Sequence, residues 1–391
     1  MNLKPFHTVI AAVITMLALG SIYAWSIFVP RLITEYGYST GQTQLIFGVF
    51  IGVFTVAMVF GRSLLTAWGV SKLAFAAAVL YTSGYVLIWL WGPGFLIMFG
   101  GLSLLAGTAT GFGYLISISV PVEWFPEKKG LITGIVSAGF GGGAILESTI
   151  VQKLFIANVA LLDVFLIVGI GKGVLLLISS FFFIRPENVK KFTSLIPLRQ
   201  LIRDNNFLRL FAGIFTGTFA GLLVVGNLKP IGEQYPIDES TLVLGITVFS
   251  IANFSGRLFW GWINDYVTGN TLIPLSLFLM GIFILFIAIV PLSSFLYLFI
   301  SFAVGFSFGA NFVIYAKETA QIFGLENLGK IYPFIFLGYG ISGIAGPFTG
   351  GWLRDLSGSY QNPAFVAAAL CLIVFVGMLF VAKPKTVLGK S

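Results

Sequence analysis

Residues 122–147 read VEWFPEKKGLITGIVSAGFGGGAILE. A charged corner with a proline gives way to an apolar stretch laced with glycine. Pro126 ends one helix, since it lacks an amide hydrogen and clashes with the preceding turn. Lys128 and Lys129 mark the turn, and Gly130 opens the next helix. Gly134 and Ala138 stand four apart, as do Gly139 and Gly143. In lipid, small residues at that spacing let two helix backbones approach closely. The spacing serves either fixed packing or a contact that moves between two halves of the molecule. It also raises the question of what Glu147 does at the far end of the helix.

The rest of the chain has the same character. Of 391 residues, 58% are apolar and 9% charged, against roughly 25% charged in a soluble domain. A spanning helix needs ~20 mostly apolar residues. Apolar runs fall near 7–29, 43–67, 72–91, 95–121, 130–153 and 158–184, then near 207–229, 240–264, 271–290, 294–316, 328–352 and 362–382. The first run is longer than a secretory signal core and is read as a retained helix. These runs predict an all-α membrane protein with twelve transmembrane helices. It divides into an N-terminal six-helix half (1–184), a basic linker (185–206) and a C-terminal six-helix half (207–391).

Charge distribution tests that count. With the N-terminus in the cytoplasm and the runs alternating, sixteen Lys/Arg fall on the cytoplasmic side and four on the outer side. Two remain inside spans, Lys172 and Arg257. The bias follows the positive-inside rule and places both termini in the cytoplasm. The net charge of +8 is thus a matter of topology, and no long basic run suggests nucleic acid. Two halves joined in this way predict a site near the bilayer midplane between them.

Arg257 is the leading candidate for that site. It stands eight residues before Asp265, which marks a helix end, so it lies ~12 Å into the membrane. A charge at that depth costs several kcal/mol and faces a cavity or a partner. Its fork matches a carboxylate, and it cannot lose its proton. The residue one turn earlier is Asn253 rather than an acid, so a bound anion or an acid on another helix must neutralise the arginine. Glu147 reads either as a protonatable coupling group or as a solvated acid at the outer end, paired with Lys153. Lys172 either snorkels to the surface or points inward as a second cation. Lys317 and Glu318 read as a surface pair.

The motif WFPEKKGLITGIVSAGFGGGA resembles the helix 4–5 signature of the oxalate/formate antiporter and monocarboxylate transporter family, within the major facilitator superfamily. GSIYAWSIF (20–28), GRLFWGWINDYVTG (256–269), the stretch 309–347 and NPAFVAAA (362–369) resemble its helices 1, 8, 10–11 and 12. The resemblance implies the major facilitator fold and transport of small organic anions. It implies that Arg257 binds the substrate carboxylate, with Tyr23, Tyr114, Asn311 and Asn253 at pocket positions and Phe308 and Phe312 beside them. It also implies that Asp265, with Gly261 and Gly269, forms a conformational-gate motif, echoed with Thr66 in place of the aspartate at 61–69. The family's oxalate exchanger carries a second cation in helix 11, a position that falls on Gly338. Its absence favours a monocarboxylate such as lactate or pyruvate over oxalate. Animal members carry an aspartate where Asn253 stands, so proton symport and anion exchange both remain open.

Other classes find little support. There is no phosphate-binding loop for ATP. One cysteine and one histidine exclude a Cys/His metal site, and no nucleophile–His–acid set exists, so no enzyme, cofactor or metal is expected. A carboxylate sensor without transport would signal through the linker, which is only about twenty residues long. A passive channel would show unsaturable flux. The remaining expectation is a monomeric carrier in the cell inner membrane, with an organic anion, lipid and protons as its partners.

Overall fold

The computed structural model describes residues 4–125, 129–186 and 201–380. Twelve helices among them are long and apolar enough to span a membrane. They are α1 (Pro5–Ile27), α2 (Thr40–Trp68), α3 (Val70–Trp91), α4 (Phe95–Trp124), α5 (Ile132–Ile156) and α6 (Leu161–Ser180). After the connection come α7 (Asn205–Gly226), α8 (Glu239–Ile263), α9 (Gly269–Ile289), α10 (Ser294–Phe323), α11 (Ile331–Ser357) and α12 (Gln361–Phe380). No strand occurs among the described residues. The apolar runs locate every span, with ends shifted by a few residues. Most of the expected linker falls on 187–200, outside the described residues, as do Pro126 and Lys128.

The bundle has a linker end, where residues 4 and 380 lie, and a distal end, where α1 passes into α2 and α11 into α12. Capping starts the helices where the chain re-enters the membrane. Ser39 and Gln42 form a capping box before α2. Before α8, Asp238 accepts from the amide of Thr241 at 3.0 Å. Hydrogen bonds from the Ser240 and Thr241 hydroxyls and that amide hold its carboxyl down to about 2.

Three spans depart from α geometry. α1 tightens into a 3₁₀ segment over Ser21–Ile27. α4 passes from a first α-helical turn, Phe95–Met98, into a π-helical segment, Phe99–Ala106. α10 breaks at 311–313 before resuming at Ile314. Such irregularities cluster at functional sites, and Tyr23 and Asn311 lie on two of them.

The glycines of residues 122–147 divide between two neighbours. A Cβ at Gly143 would lie 2.3 Å from the Leu17 carbonyl oxygen, and one at Gly139 would lie 3.2 Å from that of Val13. A Cβ at Gly20 would meet the Phe140 carbonyl oxygen at 1.9 Å. The four-residue spacing therefore packs α5 onto α1, within the first six spans. Gly141 faces the other way. Its Cβ would stand 3.5 Å from Arg257 Nε on α8. A Cβ at Gly134 would meet nothing within 4 Å.

The first and last six spans meet along α2–α11 and α5–α8. Gly48, Gly340, Gly343 and Gly351 bring α2 and α11 together, a Cβ at Gly48 lying 2.6 Å from the Gly343 carbonyl oxygen. At the distal end the contact becomes polar. Asp355 on α11 accepts the amides of Thr40 at 3.1 Å and Gly41 at 2.8 Å. These are free donors at the start of α2. Gln44 Nε2 donates to the Gly226 carbonyl at 2.8 Å, and Ser148 and Thr247 share a hydrogen bond of 3.3 Å.

Candidate functional site

Arg257 sits between α5 and α8 and is 2% exposed. Its Nε donates to Asn253 Oδ1 at 3.1 Å, one turn earlier on the same helix. Its Nη1 crosses to α5 and donates to the Ser137 carbonyl at 2.9 Å. Its Nη2 is buried without a partner. The guanidinium carbon lies 4.1 Å from the centre of the Phe312 ring, a favourable cation–π placement. None of the ion pairs among the described residues includes this arginine. Neutral acceptors and one ring face solvate it in part, and one fork of its donor set remains unused.

Aromatic rings close the space around it. Tyr23 from α1 and Tyr339 from α11 place their hydroxyls 3.1 Å apart, joining the first and last six spans. The Tyr23 ring also meets Phe140 and Phe308 edge-on at 5.5 and 5.7 Å. Tyr114 on α4 packs against Phe54, Phe140 and Phe336, with centroids 5.1, 5.3 and 6.4 Å away. Phe312 meets Tyr339 at 5.3 Å. The result is one cation, phenol hydroxyls and apolar ring faces. Chemically it can hold one carboxylate with a short apolar or hydroxylated tail.

Tyr23, Tyr114, Asn253, Phe308 and Phe312 thus join the arginine in a single cluster. Asn311 does not make that contact. Its Nδ2 donates to the Phe308 carbonyl at 3.1 Å, and its carboxamide packs over Gly217 on α7. Its Oδ1 is left without a partner. The register on α11 also differs from expectation. A Cβ at Gly338 would run into Ile214 of α7 at 2.9 Å and Phe211 O at 3.2 Å. The next residue, Tyr339, is the one that faces the cluster. It is no cation either, so the absence of a second charge there stands. Tyr339, Phe54, Phe140 and Phe336 escaped the sequence reading, because a chain with 41 phenylalanines and 13 tyrosines gives no sign of which rings converge.

The second intramembrane cation is neutralised. Lys172 points inward from α6 and is 8% exposed. Its Nζ donates to Glu147 Oε1 and to Ser21 Oγ, each at 3.0 Å. It also reaches the Tyr85 hydroxyl at 3.5 Å. Glu147 is therefore neither solvated nor paired with Lys153, because helix 5 turns it toward α6. Ser21 opens the 3₁₀ segment that carries Tyr23, so the ion pair and the cluster share one turn of α1.

At the linker end, Asp265 pairs with Lys317 at 2.7 Å. Glu318 turns inward and accepts the Gly269 amide at 2.7 Å. Lys317 and Glu318 are thus partners of the loop after α8 and not of each other. A Cβ at Gly269 would lie 2.0 Å from Glu318 Cγ, which explains the glycine, whereas Gly261 faces open space. Asp355 was missed. Its signal was present in the sequence, for GWLRD (351–355) repeats GWIND (261–265) at the opposite end of the bundle.

The Major Facilitator Superfamily model matches residues 10–316 and 210–391. Among relatives, the uncharacterized MFS-type transporter YhjX of Escherichia coli (strain K12) is 29% identical, over 86% of this chain and 85% of its own. The oxalate:formate antiporter of Oxalobacter formigenes is 23% identical, over 97% and 91%. Monocarboxylate transporter 13 of Rattus norvegicus is 22% identical, over 93% and 85%. A crystal structure of a bacterial homolog of the lysosomal transporter Spinster, inward-facing and unoccupied, superposes with a TM-score of 0.69 at 13% identity, over 97% of this chain and 96% of that one. The twelve spans, the fold and the family model agree: this chain is a multi-pass membrane transporter, not an enzyme, and belongs to the Major Facilitator Superfamily.

Proposed function

We propose that the protein is a secondary carrier of a small monocarboxylate such as lactate or pyruvate, with Arg257 as the anion's anchor. The observation that carries this reading is the buried guanidinium with a free Nη2 and no carboxylate partner among the described residues. A charge left unpaired in the membrane is costly, and an anion that enters offsets that cost. Tyr23, Tyr114 and Tyr339 would offer hydroxyls to the same ligand, and Asn253 would orient the arginine. Asn311 would support α10 at its break. The relatives named for oxalate, formate and monocarboxylates support the substrate class. Lys172 does not serve as a second substrate cation while Glu147 holds it, so one carboxylate fits better than oxalate's two.

In this reading the halves, 1–184 and 207–391, rock about the segment 185–206 and expose Arg257 to each face in turn. Asp265, Gly261 and Gly269 would work the gate at the linker end. Both termini would lie in the cytoplasm of a cell whose inner membrane holds the protein as a monomer. Coupling would be to protons, with Glu147 as the coupling group, or to a second anion in exchange.

The test is uptake of radiolabelled lactate and pyruvate into proteoliposomes, with the outside acidic, with and without acid preloaded inside. Saturable uptake that Arg257→Gln lowers by at least a hundredfold is the expected result. Dependence on the pH gradient alone would assign proton symport, and dependence on preloading would assign exchange. Full uptake by Arg257→Gln at low substrate would sink the anchor role.

A further inference from the structure

Where α7 enters the bundle at the linker end, a second arginine lacks an ionic partner among the described residues. Arg209 stands in the second turn of α7 and is 8% exposed. Its Nη1 donates to Asn270 Oδ1, its one hydrogen bond among the described residues. Its Nε is buried and unpartnered. Glu318 lies near enough to act on it electrostatically, but that carboxylate is committed to the Gly269 amide and forms no ion pair with Arg209.

The arginine lines a cavity of about 370 Å³ between α7, α9 and α12. Asn270 and Thr271, from the first turn of α9, line its polar part. Phe278, Phe375 and Leu379 line the apolar part. Phe278 and Leu379 are 36% and 60% exposed, on a surface that faces acyl chains in a bilayer. The polar wall lies at the level where α7 and α9 begin and α12 ends. That is the depth of lipid headgroups, and the apolar wall continues from it toward the membrane centre.

We infer that this cavity is a binding site for an anionic phospholipid. The phosphate would take Arg209 Nε or Nη2, with help from the Thr271 hydroxyl; the Gly269, Thr271 and Leu272 amides of that turn are already committed to Glu318 and Thr268. One acyl chain would lie along Phe278 and Phe375. Charge complementarity selects this occupant. A purely apolar ligand would leave the arginine unanswered, and a small soluble anion would leave the apolar wall bare. Basic pockets between spans at a membrane face are suited to such headgroups. The site is distinct from the Arg257 cluster and stands whether or not the substrate proposal does.

The test uses the full chain in mixed micelles containing phosphatidylglycerol or phosphatidylcholine. The chain has eight tryptophans of its own, so contact is read as the quenching by brominated acyl chains that a Phe278→Trp variant gains over the parent, with Arg209 intact. The expected result is roughly fivefold tighter quenching by brominated phosphatidylglycerol than by brominated phosphatidylcholine, weakened by 0.5 M salt. Arg209→Gln in the same background should erase the preference, and native mass spectrometry should show the lost retention. Equal quenching by both lipids in the Phe278→Trp protein would overturn the proposal, even if Arg209→Gln fails to fold. Displacement of the lipid by millimolar inorganic phosphate would overturn it too, by reassigning the site to a soluble anion.

Discussion

Arg257 and Lys172 are two cations at similar burial inside one bundle, and their surroundings are opposite. Lys172 has a carboxylate, a hydroxyl and two tyrosine rings about it, with Glu147 at 3.0 Å and ring centres of Tyr81 and Tyr85 at 5.4 and 5.2 Å. Arg257 has an amide oxygen, a backbone carbonyl and a ring face, and keeps one nitrogen idle. The first charge is answered within the protein, by groups that tie α1, α3, α5 and α6 together. The second is answered only in part, and in the proposed function the substrate anion would supply the rest. Burial alone does not separate the two cases; the partner does.

The contrast predicts opposite responses to removal of charge. Lys172→Met leaves Glu147 buried and alone, so thermal or denaturant unfolding should show a loss of about 3–5 kcal/mol. Adding Glu147→Gln should recover most of that loss, and a single variant as stable as the parent would break the comparison. Arg257→Gln removes a charge with no ionic partner among the described residues, so the ligand-free melt should move by no more than about 1 kcal/mol. What it should lose is stabilisation by substrate, worth about 2.7 kcal/mol at a hundred times Kd. A substrate-dependent melting shift that survives in this variant would place the anion elsewhere. The smallest effect is expected from Tyr339→Phe. It removes one hydroxyl–hydroxyl contact, about 1 kcal/mol, and unfolding together with half-saturation for lactate would measure it. An unchanged half-saturation would leave the tyrosine pair a packing contact only.

The spans were legible because an apolar run of twenty residues in lipid has few alternatives to a helix. Arg257 was legible because a lone charge far from any helix end has to be explained. Glu147 was harder. Lys153 is close in sequence, but a helix turns 100° per residue and aims the acid at Lys172, 25 positions away. The same rotation separates Gly338 from Tyr339, where a shift of one residue exchanges a contact with α7 for a place in the central cluster. Asn311 was expected at a pocket position, yet at the break in α10 its carboxamide packs over Gly217. The aromatic partners were illegible because their convergence belongs to tertiary packing alone.

GWIND and GWLRD place aspartates at opposite ends of the bundle, and only Asp355 is engaged across the first and last six spans. For a carrier, the gradients alone fix where accumulation stops, and no internal contact alters that point. In the proposed carrier, the strength of the Asp355 contact would instead bias which face the empty protein presents while it waits. An apparent affinity scales with the fraction of molecules poised to bind. Two backbone amides at the mouth of α2 would therefore bear on the difference in apparent affinity between the two sides of the membrane, at a point remote from the arginine proposed to hold the substrate.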